Sequence, residues 1–182
     1  VAHYVKEDSP LDKEALERAT SVYLADRVIP MLPRELSNGI CSLNAGTDRL
    51  AMSCMMTFDV NGNVLDHTIT ESVICVDERM SYTGVKAILE GQEHPEGERE
   101  DIRALCFLMK EAAAILKEKR RKRGAIDFDF PETHVTTDPK GTPLSVETQR
   151  NTFANHIIEE FMLAANETVA EHFSWLNVPF LY

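Results

Sequence analysis

A chain of 182 residues, 43% of them hydrophobic, is long enough to bury a sizeable core, and a formal net charge of −11 argues against a surface that coats nucleic acid through overall basicity. A negative total is still compatible with a local basic channel, and with carboxylates that hold metal beside a phosphodiester. No apolar run approaches the ~20 residues of a membrane span and no charged, apolar and small-residue series opens the chain, so a cytoplasmic globular protein with no membrane partner is expected.

Val1 to Val5 reads as the last residues of a strand. Asp8-Ser9-Pro10 then signals a helix start, and Leu11, Ala15, Leu16, Ala19, Val22 and Tyr23 recur at helical spacing, which puts Tyr23 at the helix end facing inward. Pro30 and Pro33 break any helix, and Ser37-Asn38-Gly39 marks a turn in an ordered, apolar loop. Ala51 to Val60 and Val64 to Cys75, joined by Asn61-Gly62-Asn63, read as a β-hairpin. Ser81 caps a short helix through Leu89 with Tyr82 in its first turn, and Gly91 to Gly97 reads as an exposed linker. From Glu98, the spacing of Ile102, Leu105, Cys106, Met109, Ala113 and Leu116 describes a long amphipathic helix. Ala125 to Phe130 reads as a strand, a second hairpin turns through Asp138-Pro139-Lys140-Gly141, and a helix runs from about Thr152 to Phe173. Hairpins and helices without a βαβ rhythm make the fold class α+β. The chain ends on Phe180-Leu181-Tyr182 with no polar tail; with its opening residues this suggests a piece of a larger protein, whose truncation surfaces would be open to association.

Lys119 to Arg123 admit two readings. Cations favour the negative end of a helix dipole and Gly124 suits the position just past a helix end; alternatively, the run is a phosphate-binding rim beside a strand whose aromatics stack on bases. Asp127 and Asp129 share one face of their strand and could share a metal, with Glu132 nearby, but plain alternation favours reading them as the solvent face of a strand that buries Ile126, Phe128 and Phe130. Six histidines lack zinc spacing, and four widely separated cysteines form no CxxC pair and read as free buried thiols. Glu159 and Glu160 point about 100 degrees apart on a helix, so one can abut the core; it is then either a site residue or the partner of a neighbouring Arg.

Taken together, VAHYVKEDSPLDKEALERATSVYL, IPMLPRELSNGICSLN, KRRKRGAIDFDFPE and HIIEEFMLAANETVAEHF resemble the catalytic domain of the ribonuclease II and ribonuclease R family, with the nearer likeness on the ribonuclease R side. The resemblance runs through nearly the whole chain in the family's order. It implies a partial catalytic domain over residues 1–182 of a processive 3′-to-5′ exoribonuclease, which threads single-stranded RNA down a basic channel and releases nucleoside 5′-monophosphates. It also implies magnesium ions, held by aspartates that lie upstream of these blocks, so that this chain is expected to hold no metal and to be inactive alone. Tyr23 is similar to the family tyrosine beside the scissile phosphate, and Phe128 to the aromatic that stacks on the terminal base. Glu159 is similar to the acid that contacts the terminal nucleotides, and Tyr82 to a tyrosine implicated with it in sensing ribose. Arg120 and Arg121 are expected to attract RNA phosphates. A phenol donates to phosphate oxygen, a phenyl face stacks on any base, and a carboxylate accepts from the 2′-OH that DNA lacks. A base-stacking Phe128 must face a cavity, which turns Asp127 and Asp129 away from it and argues against them as metal ligands. The rival expectation is a non-catalytic RNA-binding or protein-interaction module derived from the same domain.

Overall fold

The computed structural model describes residues 1–126, 132–138, 140–149 and 151–180. In chain order these form α1 (Pro10–Arg18), β1 (Val22–Tyr23), β2 (Val28–Ile29), β3 (Asp48–Phe58), β4 (Val64–Cys75), α2 (Tyr82–Leu89), α3 (Glu100–Lys122), β5 (Glu132–Thr137), β6 (Pro143–Gln149) and α4 (Phe153–Trp175). The strands pair as three separate two-stranded sheets, β1 with β2, β3 with β4 and β5 with β6, so the class is α+β as expected. Two compact units share these elements: Val1–Ala51, Val73–Arg79 and Glu132–Gln149 form one, and Met52–Ser72, Met80–Pro131 and Arg150–Tyr182 the other.

In the first unit, Val1 to Val5 is a turn rather than a strand. The N–H groups of Tyr4 and Val5 both donate to Val1 O, at 2.9 and 3.1 Å, so local bonds satisfy the backbone that a partner strand would otherwise pair. α1 starts as its sequence specifies, with Ser9 Oγ accepting from Asp12 N at 3.2 Å and Pro10 in the first turn. It stops at Arg18, short of Tyr23, because Ala19 takes a φ of +59° that no helix continues. β5 and β6 pair antiparallel with Val135 opposite Val146. Their connection is bracketed by Asp138, whose Oδ1 accepts from the N–H groups of Lys140 and Thr142, both at 2.8 Å, with Gly141 at φ +84°.

The β3–β4 tip in the second unit uses the same device. Asp59 Oδ1 accepts from Asn61 N and Asn63 N, both at 2.8 Å, and Gly62 supplies the left-handed φ of +79°. The core lies in this unit: Ala87 and Ile88 of α2, Cys106, Ala113 and Leu116 of α3, and Ala154 and Ile157 of α4 are buried. Ile88 is the most enclosed large side chain, at 2% exposure, and burying such a group contributes about 1.5–3 kcal/mol. Of the four cysteines only Cys106 is buried, and burial pushes its thiol up; Cys75 is exposed, contrary to the expectation of uniformly buried thiols. Among the described residues no helix is long and apolar enough to cross a membrane.

Candidate functional site

Tyr23 sits in the first unit on the minimal hairpin β1–β2, where Tyr23 pairs with Val28. Leu24 N donates to Arg27 O at 2.8 Å to close the turn, and Ser21 Oγ accepts from Met31 N at 2.9 Å to tie its base. Arg18 Nη1 donates to Pro30 O at 3.2 Å from the end of α1. The phenol is therefore carried on a fixed backbone yet is 79% exposed, the reverse of the inward-facing helix end read from periodicity.

The other described site residues lie in the second unit. Ser81 caps α2 as expected, and Tyr82, the first residue of that helix, is 51% exposed. On α4, Glu159 and Glu160 divide as their angular offset requires. Glu160 is 3% exposed and Glu159 faces outward, where its Oε2 lies 3.1 Å from His156 Nδ1 one turn earlier. Glu160 meets Arg120 of α3: Arg120 Nη2 donates to Glu160 Oε1 at 2.7 Å, and Nε lies 3.3 Å from both carboxylate oxygens. The buried member of the acid pair is thus the partner of an arginine, while the acid singled out by resemblance is the accessible one.

The basic run follows a consistent pattern. Lys119 to Lys122 form the last turn of α3, and Gly124, at φ +97°, follows the helix end, as dipole and capping arguments require. Lys119 Nζ donates to the hairpin-tip carbonyl of Gly62 at 3.0 Å, and Arg123 Nη1 donates to Glu167 Oε2 of α4 at 3.0 Å. Arg120, expected at a phosphate rim, is placed between the helices with its side chain 15% exposed. Among the described residues Arg121 pairs locally, with Glu118 at 2.8 Å, and its side chain is 72% exposed. Each acid responds to its cation: Arg121 holds Glu118, and Arg123 holds Glu167, below the usual carboxylate range. Lys119, Arg123, Glu160, Glu167, Gly62 and Phe58 are among the residues that line a cavity of about 320 Å³ at the hairpin tip. Its opposed charges leave it without a dominant sign.

Phe128, Asp127 and Asp129 lie outside the described residues. Among the described residues no group of three or more His, Cys, Asp or Glu side chains is placed to hold a metal ion. Magnesium takes several oxygen ligands in near-octahedral geometry, and the described carboxylates form no such set. Sequence reading missed two constraints on the site residues. One is the identity of the buried pair: the sequence offered an acid paired with a neighbouring Arg, and which glutamate and which arginine meet is given by the fold, Glu160 with Arg120. The other is Glu96, whose carboxylate accepts from Ser81 N and from Ser81 Oγ, both at 2.8 Å, and for which no sequence spacing gives a signal.

The chain belongs to the RNB domain family, whose model matches residues 1–182. It is similar to a ribonuclease R of Lactococcus lactis, 47% identical over 100% of this chain and 22% of that protein. The ribonuclease R of Thermotoga maritima is 48% identical over 100% of this chain and 26% of its own length. The chain thus spans about a quarter of these relatives. Among solved structures, the RNase R of Mycoplasma genitalium in complex with ribose methylated single-stranded RNA matches with a TM-score of 0.90 at 30% identity, over 97% of this chain and 28% of that one.

Proposed function

We propose that the chain is a segment of the catalytic domain of a processive 3′-to-5′ exoribonuclease, acting in the cytoplasm on single-stranded RNA and releasing nucleoside 5′-monophosphates. The observation that carries this reading is the RNB match from residue 1 to residue 182, supported by the likeness to a relative solved with RNA. In this reading the Tyr23 phenol donates to an oxygen of the scissile phosphate and Phe128 stacks on the terminal base. Glu159 and Tyr82 engage the terminal ribose, with the carboxylate accepting from the 2′-OH. Of the two arginines, Arg121 is the one whose exposure suits phosphate contact, while Arg120 fixes the helix pair beneath it. Magnesium, where the reaction uses it, is held by carboxylates outside this chain.

The test is digestion of an oligoadenylate, labelled at its 5′ end, by the full-length protein that carries the segment. The reading expects full-length strand to give way to a short 5′-labelled end product with few intermediates, and unlabelled AMP to be released in parallel. Internal cuts, or binding of the strand with no product, would assign the protein to another nuclease type or to the non-catalytic module.

A further inference from the structure

The first turn of α2 is closed by an acid that does not belong to it. In a capping box the N-cap hydroxyl accepts from the backbone N–H of the third helical residue, and an acid at that third position reaches back to the N-cap N–H. The first half is present in α2, where Ser81 Oγ accepts from Gly84 N at 3.0 Å. The third position, however, is Gly84, which has no side chain to complete the box. Glu96 completes it from the segment that reads as a linker, with Oε2 accepting from Ser81 N and Oε1 from the Ser81 hydroxyl, both at 2.8 Å. Its carboxylate fills the space of the missing side chain: a Cβ at Gly84 would overlap Glu96 Oε2. The segment itself is anchored. A Cβ at Gly97 would come within 2.9 Å of Cγ1 of the buried Ile88, and Glu96 N donates to His94 Nδ1 at 3.3 Å. The hydrogen bond from Ser81 N also holds the Glu96 carboxyl below its ordinary value, so it is ionised at neutral pH.

Tyr82 is the residue directly after the one so clamped, and its ring is half exposed. We infer that Glu96 is a positioning residue for recognition of the 3′-terminal ribose, fixing the first turn of α2 and with it the direction in which Tyr82 presents its phenol. This rests on the reading of Tyr82 as a ribose contact. Without the clamp the Ser81 N–H has no partner, the first turn frays, and the Tyr82 hydroxyl samples positions that do not reach the sugar.

The experiment compares kcat/KM of the full-length protein on two oligoadenylates that differ only in a ribose or 2′-deoxyribose at the 3′ terminus. Glu96→Ala, a change in an exposed segment, is expected to lower the ribose preference about five- to tenfold, the worth of one hydrogen bond. Glu96→Gln, which keeps one acceptor, should fall between, and Gly84→Ala, which displaces the carboxylate while leaving it in the sequence, should repeat Glu96→Ala. A merely structural role lowers turnover on both substrates alike and leaves the ratio intact; that result overturns the inference. Tyr82→Phe separates the two layers of argument. A lost preference in Tyr82→Phe with a normal one in Glu96→Ala overturns the clamp alone. A normal preference in Tyr82→Phe overturns the ribose reading, and the inference falls with it.

Discussion

Breaking the Arg120–Glu160 pair should destabilise the second unit far more than breaking any other ion pair at the end of α3. Glu160 is 3% exposed and Arg120 15%, and the guanidinium places three N–O contacts of 2.7 to 3.3 Å on one carboxylate. Arg120→Met strands that carboxylate away from water, for which a loss of about 3–5 kcal/mol is expected. Against a total stability of about 5–15 kcal/mol this is about a fifth of the whole or more. Arg120→Met with Glu160→Leu removes both charges and fills similar volume, so it should cost less than about 1 kcal/mol or stabilise. The exposed Arg121–Glu118 pair, with side chains 72% and 43% exposed, should be worth at most about 1 kcal/mol. Urea unfolding followed by far-ultraviolet circular dichroism reads all three, and with a slope of about 2 kcal/mol per molar the single change shifts the midpoint by about 1.5–2.5 M. A shift below about 0.5 M for Arg120→Met, or a double variant as unstable as the two single changes summed, would refute the argument that this pair closes α3 on α4.

Acid should weaken the α3–α4 contact through Glu167, whose carboxyl Arg123 holds below its ordinary value of 4.5. A depressed carboxyl contributes its stabilisation fully above 4.5 and loses it as pH falls through the lowered value, so the melting temperature should drop below pH 4.5 and drop less in Arg123→Met. An identical acid limb in the variant would count against the pair. Phe128→Ala in the full-length protein should weaken binding of the RNA end by about 1–3 kcal/mol without changing its salt dependence. Arg121→Ala should instead flatten the slope of log K against log salt by about one, and an unchanged slope would leave Arg121 as a helix-end cation only. The 182-residue chain alone should release no 5′-monophosphate from poly(A). Turnover that EDTA abolishes and that follows the chain through purification would contradict this.

Local signals carried most of the fold. Asn61-Gly62-Asn63 set the β3–β4 turn because only a glycine accepts φ +79° without strain, and Ser81 and Thr152 marked the starts of α2 and α4. The site was legible only where identity, not placement, was asked. Periodicity carried α1 on to Tyr23, but Ala19 ends the helix, and the tyrosine moves from an apolar face to an exposed hairpin. The adjacent glutamates were legible as one inside and one out, yet the choice between them depends on where α3 delivers Arg120, a contact spanning 40 residues. Glu96 was invisible for the same reason. Its partner is 15 residues away, and a polar stretch bounded by two glycines reads as a linker until the fold brings it back to Ser81.

The most direct measurement of the central claim, that this chain supplies the wall that positions RNA for cleavage, is single-turnover cleavage and equilibrium binding of the same oligoadenylate by Tyr23→Phe in the full-length protein. The Tyr23 ring is 79% exposed, so loss of its hydroxyl disturbs no packing. If the phenol donates to the scissile phosphate, cleavage slows roughly ten- to a hundredfold, the worth of a hydrogen bond to a charged group, while affinity for the strand changes little. Cleavage at the unaltered rate would contradict the account.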